Sequence, residues 1–222
     1  MGALVSDSDS FIDEVTEEVK RDRLYATMRK WGWVGVVIVA LIVGGTAFRE
    51  WRIASAESKA QAFGDSILTA LEANEPSDRI AALQDISAPE PGAAAVLSML
   101  TAAEEASAGN DAEAVARLQT VAANMEIPSI YRQIASYKAL ARGGAVLSVD
   151  ERRAGFEALA VPGQPLRLLA EEQLALIEIE TGETSAALTR LERLAEDAEA
   201  TAGLRQRASQ LIVALGGDAP GN

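Results

Sequence analysis

The longest uncharged stretch of the chain runs from Trp31 to Phe48 and is rich in Val, Ile, Leu and Ala. At a rise of about 1.5 Å per residue, a helix of this length covers roughly 27 Å, close to the hydrocarbon thickness of a bilayer. A buried helix of a soluble domain normally keeps a polar stripe, and this stretch lacks one. The pattern predicts one transmembrane helix, which we place at residues 31–52.

Residues suited to the membrane–water interface lie at both ends of the predicted span. All the tryptophan of the chain is found there, and an indole ring can lie among lipid headgroups with its N–H group in water. Basic residues flank the apolar core on both sides. The predicted interface anchors are Trp31, Trp33, Trp51, Arg29, Lys30, Arg49 and Arg52.

A cleaved signal peptide is the main alternative, since Ala54-Ser55-Ala56 has the small-x-small form that signal peptidases prefer. However, thirty residues precede the apolar core, which is longer than a usual h-region. Arg49, Glu50 and Arg52 also separate the core from the cleavage motif. We therefore interpret the span as an uncleaved anchor.

Basic residues near the ends of a span predict its orientation. Five Lys and Arg residues lie within residues 20–30, and three lie within residues 49–59. This bias predicts that residues 1–30 are cytoplasmic and that the rest of the chain lies in the periplasm of a bacterium. The predicted location is the inner membrane, crossed once. Gly35, Gly44 and Gly45 permit helix association in the membrane without requiring it.

The N-terminal segment, residues 1–30, has an amphipathic pattern. Ser10 is a suitable N-cap for a helix with Phe11, Ile12, Val15 and Val19 on one side. We interpret the segment as an amphipathic lead-in on the inner leaflet, and a specific cytoplasmic docking helix is the alternative.

Beyond the span, apolar residues recur at steps of three and four, and no segment shows the alternation of Val, Ile, Thr and Tyr that a strand needs. The fold class predicted for this region is all-α, built of helical hairpins. The clearest apolar faces are Leu166, Leu169, Ala170, Leu174 and Ile177 in one segment and Ala187, Leu188, Leu191, Leu194 and Ala195 in the next. Earlier in the chain, the positions predicted to point inward are Ala114, Val115, Leu118, Val121, Phe156 and Leu159.

Turn glycines divide this region into units of similar length. Gly109, Gly144 and Gly182 are 35 and 38 residues apart, a spacing typical of tetratricopeptide repeats. We predict a tetratricopeptide-like helical-hairpin solenoid over residues 53–216 and a disordered tail over 217–222. Further helices are expected at 55–73 and 77–86, as an opening pair, and at 200–215, as a cap.

The region after the span is strongly acidic. From residue 54 to 222 there are thirteen Lys and Arg residues against twenty-five Asp and Glu residues, a net charge of −12. Such a surface repels nucleic acid and anionic lipid headgroups, so we expect no nucleic-acid partner.

The composition also restricts catalysis. The chain contains no His and no Cys, which excludes imidazole bases, thiol nucleophiles and the usual zinc sites. Neighbouring carboxylates such as Glu104 and Glu105 point about 100° apart on a helix and do not converge on one substrate atom. We therefore expect no catalytic residue, no cofactor, no metal and no small-molecule substrate.

The region around the span resembles a known family. The segments Phe11–Leu24, Arg29–Trp33 and Phe48–Arg52 are similar to those of tetratricopeptide-like inner-membrane proteins of alphaproteobacteria, the YfgM-like ancillary subunits of the SecYEG translocon. The resemblance covers residues 10–60 in sequence and the remainder only in architecture. It implies a bitopic protein whose periplasmic repeats associate with translocon subunits and with periplasmic chaperones, and it transfers no catalytic residues.

The function expected on this basis is that of a membrane-anchored, non-enzymatic adaptor that binds proteins through its helical repeats. The alternative is a scaffold or assembly factor for another envelope complex, such as outer-membrane protein insertion, cell division or a respiratory complex.

Overall fold

The computed structural model describes the backbone of residues 6–218 and the side chains of residues 28–218. Every regular element within residues 6–218 is helical, which confirms the predicted fold class. The elements are α1 (Ser6–Leu71), α2 (Pro76–Gln84), α3 (Pro91–Ser107), α4 (Asp111–Ala123), α5 (Ser129–Arg142), a 3-10 helix (Gly143–Ala145), α6 (Val149–Leu159), α7 (Arg167–Glu180), α8 (Thr184–Glu196) and α9 (Ala202–Ala214).

The chain forms two compact units, residues 1–59 and residues 60–222. The first unit consists of the greater part of α1. This helix begins at Ser6, so Ser10 lies inside it and the N-cap predicted at Ser10 is wrong. The predicted amphipathic face at Phe11, Ile12, Val15 and Val19 lies outside the residues whose side chains are described.

The predicted span is part of α1, which is long and apolar enough to cross a membrane. Its apolar side chains are exposed: none of the most apolar window of α1 is buried inside the protein. Leu41 and Val36, for example, are 70% and 69% exposed. A row of large apolar side chains without a protein partner is the pattern expected of a helix whose solvent is lipid.

The second unit is built of helices that contact their neighbours in sequence. Each helix from α2 to α9 packs against the next, and α3 also contacts α5. The core is correspondingly divided into four clusters of buried side chains, shared successively by α1–α3, α3–α5, α5–α7 and α7–α9. Burial of each apolar face therefore depends on the adjacent helices, as it does in repeat proteins.

The faces predicted to point inward are largely buried. Ala114 and Ala187, each five residues after a turn glycine, have no exposed surface, and Phe156 is 1% exposed. Leu166, Leu169 and Leu188 are only partly buried. The other predicted positions that are buried are Val115, Leu118, Val121, Leu159, Ala170, Leu174, Ile177, Leu191, Leu194 and Ala195.

The second unit contains an internal repeat of 73 residues. Helices α4 and α8 begin and end 73 residues apart, and α5 and α9 begin 73 residues apart. The connections repeat as well: Gly109 and Gly182 both have a positive φ, of 83° and 79°. Helices α3–α5 and α7–α9 thus share this spacing and their connections, and we call them the first and the second repeat.

The backbone hydrogen bonds of the two repeats correspond. Asn110 N donates to Glu105 O at 2.9 Å in the first repeat, and Glu183 N donates to Glu178 O at 2.7 Å in the second. With the positive φ at the intervening glycine, this is the Schellman ending of a helix. Later in each repeat, the side chain of Asn124 or of Asp197 accepts from the backbone N–H two residues on.

The last described residues pack against α8 and α9 at the end of the second unit. Gly216 has a φ of 85°, and Gly217 N donates to Ile212 O at 2.9 Å. A Cβ atom at Gly217 would lie 2.8 Å from Ile212 and 3.0 Å from Leu188, so the backbone packs closely there. The remainder of the predicted tail, residues 219–222, lies outside the described residues.

Candidate functional site

The three tryptophans predicted as membrane anchors are exposed side chains on α1. Trp31, Trp33 and Trp51 are 61%, 67% and 66% exposed. Trp31 and Trp51 are twenty residues apart on one helix, about 30 Å along its axis. The rings of Phe48 and Trp51 have centroids 6.1 Å apart, which groups two aromatic side chains at the second end of the span.

The basic anchors Arg29, Lys30, Arg49 and Arg52 are also exposed. Within the described residues, none of these four forms an ion pair. Their charged groups are therefore free to lie among headgroups while the aliphatic stems follow the apolar helix.

Polar and small residues inside the span are compatible with lipid. The Thr46 hydroxyl donates to Val43 O at 2.9 Å, which satisfies its donor within the helix itself. A Cβ atom added at Gly35, Gly44 or Gly45 would meet no other atom within 4 Å. Contacts within the described part of the chain therefore do not explain why glycine occupies these positions.

The predicted turn glycines lie between helices. Gly109 connects α3 to α4, Gly182 connects α7 to α8, and Gly144 lies in the 3-10 helix between α5 and α6. Gly144 does not have a positive φ, and a Cβ atom there would be 4.0 Å from its nearest neighbour. The constrained glycine of this middle connection is Gly143, where a Cβ atom would lie 2.5 Å from Leu147 Cδ1.

A buried glutamate precedes the turn in each repeat. Glu105 and Glu178 are 5% and 4% exposed, and each accepts hydrogen bonds from an arginine on the next helix. Arg117 Nη2 lies 2.5 Å from Glu105 Oε1, and Arg190 Nη2 lies 2.7 Å from Glu178 Oε1. The hydrogen bonds to Glu105 and Glu178 raise the pKa of Arg117 and of Arg190.

These two ion pairs link the two helices of each hairpin. A buried carboxylate needs charged partners, and in each pair two nitrogens of one guanidinium reach one carboxylate. Arg190 additionally pairs with Glu171. The arrangement joins the two helices of each hairpin at the turn end.

Other arginines join one hairpin to the next. Arg152 Nη2 lies 2.6 Å from Glu180 Oε2, and Arg207 Nε lies 2.6 Å from the buried Glu172. Of the twelve Lys and Arg residues in 60–218, eight form ion pairs, so most of the positive charge of the second unit is neutralised internally. The exposed charge that remains is predominantly negative.

A groove of about 440 Å³ lies between α3, α4 and α5 of the first repeat. Part of its lining is apolar or small and comes from all three helices. These residues are Met99, Ala102, Ala103, Leu118 and Ala141.

The polar lining of the groove comes from Tyr137, Lys138, Arg142 and Asp111. Arg142 Nη1 lies 3.4 Å from Asp111 Oδ1, a long contact between two exposed side chains. Lys138 forms no ion pair with any residue that the structure describes. The groove therefore presents Lys138 without an ion-pair partner among the described residues and Arg142 with a single long, exposed contact.

Tyr137 is held in place by packing. Its ring meets Phe156 edge to face, with centroids 5.7 Å apart and an interplanar angle of 69°. Burial raises the pKa of the Tyr137 phenol, and the nearby Glu172 carboxylate raises it further. The hydroxyl accordingly stays protonated at neutral pH and can donate a hydrogen bond.

Sequence reasoning missed both the groove and the buried glutamates. The signal for the glutamates is present, since Glu105 and Glu178 each lie four residues before a turn glycine. Lys138 and Arg142 are four residues apart, which places them on one side of a helix in an otherwise acidic region. Only the structure shows that this side faces a groove.

Within the described residues, no group of three or more Asp or Glu side chains is arranged to hold a metal ion. Comparisons of this chain with protein-family models, with curated proteins and with solved structures gave no match.

Proposed function

We propose that this protein is a membrane-anchored, non-enzymatic adaptor that binds other proteins through its second unit. The observation that carries the proposal is the make-up of helix α1. This helix contains the exposed apolar span and continues into the second unit, which is built of repeated hairpins. A single span tethers such a unit to a bilayer, and stacked helical hairpins offer extended surfaces for protein ligands.

We further propose that the second unit is a tetratricopeptide-like solenoid. The 73-residue repeat corresponds to two hairpins of about 36 residues, close to the 34 of tetratricopeptide repeats. Ala114 and Leu118, and likewise Ala187 and Leu191, match the A-x3-F element of that motif with leucine in place of phenylalanine. All four side chains are buried, as the packing role of these positions requires.

The proposed location is a bacterial inner membrane with the second unit in the periplasm. The excess of basic residues on the N-terminal side of the span supports this orientation. The proposed partners are translocon subunits and periplasmic chaperones, as the likeness of residues 10–60 to YfgM-like proteins suggests.

Affinity purification from gently solubilised membranes tests the adaptor function. The full chain carries a C-terminal tag, and an unrelated single-span protein with the same tag serves as the control. We expect translocon subunits or a periplasmic folding factor to be enriched over the control. Enrichment of another envelope assembly would retain the adaptor function and change its partner, whereas recovery of the protein alone after crosslinking would contradict the proposal.

A further inference from the structure

We propose that the groove between α3, α4 and α5 binds an acidic segment of a polypeptide partner. In this arrangement, an apolar side chain of the partner packs against Met99, and its carboxylates pair with Lys138 and Arg142. The inference rests on the proposed adaptor function and specifies the chemistry of the segment that the adaptor recognises.

The internal repeat shows that the fold does not require these basic side chains. The positions equivalent to Lys138 and Arg142 in the second repeat are Leu211 and Leu215. Both leucines are partly buried and pack against the core cluster formed by α7, α8 and α9. The second repeat therefore has apolar side chains at these positions, and the first repeat instead presents two cations there.

The positive charge of Lys138 and Arg142 favours an acidic ligand. Lys138 forms no ion pair within the described part of the chain, and Arg142 has only a 3.4 Å contact with the exposed Asp111. A partner carboxylate can therefore reach both cations by displacing one weak contact. The predominantly acidic surface elsewhere repels the same ligand, which favours this groove over other sites.

The spacing and the lining favour a polypeptide. Lys138 and Arg142, four residues apart on α5, are neighbours on one side of the helix, so two adjacent acidic side chains of a peptide can each reach one cation. Met99, which is partly buried, offers apolar contact between the helices.

Selection from a library of random twelve-residue displayed peptides tests the proposal, with the full chain held in lipid nanodiscs. The variant K138L/R142L carries the leucines of the second repeat and should keep the fold. The variant K59Q/R193Q changes the net charge equally but leaves the groove intact, and circular dichroism verifies that both variants fold.

We expect the unmodified chain and K59Q/R193Q to enrich peptides in which Asp or Glu adjoins Leu or Phe. Replacing both basic residues should weaken binding of a selected peptide about tenfold. D111N removes the competing carboxylate and should strengthen the same binding. The proposal would be overturned if K138L/R142L selected the same peptides as the unmodified chain. It would also be overturned if the unmodified chain selected peptides without acidic residues. A selection that enriches no peptide would overturn it as well.

The two proposals fail in different ways. If peptide selection fails while affinity purification still recovers partners through the second unit, the adaptor function stands and the groove is not its binding site. If acidic peptides bind in the groove but no partner is recovered from membranes, the ligand chemistry stands and the adaptor function fails.

Discussion

At the scale of single residues, the buried glutamates Glu105 and Glu178, one in each repeat, carry the clearest energetic role. Glu178 is 4% exposed and accepts three hydrogen bonds from Arg190. Replacing it with glutamine removes the charge that matches the guanidinium in a largely dehydrated place. We expect E178Q to lower the free energy of unfolding by about 2 kcal/mol, less than for a fully buried pair because Arg190 is partly solvated.

The matched control is E180Q on the same helix. Glu180 also pairs with an arginine, Arg152, but its side chain is 49% exposed, so its loss should cost less than about 1 kcal/mol. Urea unfolding followed by circular dichroism measures the free energy of unfolding of both variants. Equal losses in the two variants would show that burial does not set the strength of these ion pairs.

The exposed carboxyl groups predict how stability depends on pH. Hydrogen bonds from the Ser148 hydroxyl and backbone lower the pKa of Glu151, and those from Thr181 and Arg153 lower the pKa of Glu183. The Glu199 backbone N–H and Arg167 lower the pKa of Asp197. Because the pKa is lower in the folded state, each group stabilises the fold above its unfolded pKa, and this contribution is lost as the pH falls through the folded pKa.

We therefore expect the midpoint of thermal unfolding to decrease as the pH falls below about 4.5, where unfolded Glu and Asp begin to bind protons. The triple variant E151Q/E183Q/D197N lacks the three groups and should show a smaller decrease over the same range. A decrease of the same size in both proteins would assign the pH dependence to other groups.

At the scale of the elements, the turn glycines differ in what they require. Gly182 has a φ of 79°, where a Cβ atom is strained, and G182A should cost about 1 kcal/mol. Gly144 has no positive φ and open space around it, so G144A should leave stability almost unchanged. Thermal unfolding of the two variants measures the difference, and a larger loss for G144A would contradict the geometry of the middle connection.

The span of α1 predicts the effect of charge on membrane insertion. Val39 and Val43 lie in the middle of the apolar stretch, and V39R/V43R should disfavour insertion by about 5 kcal/mol. The control A56R/A60R adds the same charge to α1 beyond the span. Extraction of membranes with alkaline carbonate should release the first variant and retain the second. Retention of both would argue against residues 31–52 as the membrane anchor.

Helices and their inward faces were largely predictable from the sequence, whereas the close contacts between them were not. Apolar residues at steps of three and four located the buried faces of α4 and α8, because these faces follow the helical period. Gly155 gave no such signal: Leu140 of α5 packs directly over it, a contact that depends on how two helices cross. The groove escaped prediction for the same reason, since three helices line it.

At the scale of the whole molecule, the predicted orientation can be tested directly because the chain contains no cysteine. S8C places a single thiol before the span, and S185C places one at the start of α8. In intact spheroplasts, a membrane-impermeant maleimide should label S185C and should label S8C only after lysis. The opposite pattern would place the second unit in the cytoplasm.

The central claim, that the second unit binds proteins outside the cytoplasm, is tested most directly by crosslinking in intact cells. Mild detergent extraction and mass spectrometry would follow, with each crosslink assigned to one side of residue 48. We predict links from residues beyond 55 to translocon subunits or periplasmic chaperones, including links at the groove of the first repeat. Links confined to residues before the span, or none to any other protein, would contradict this account.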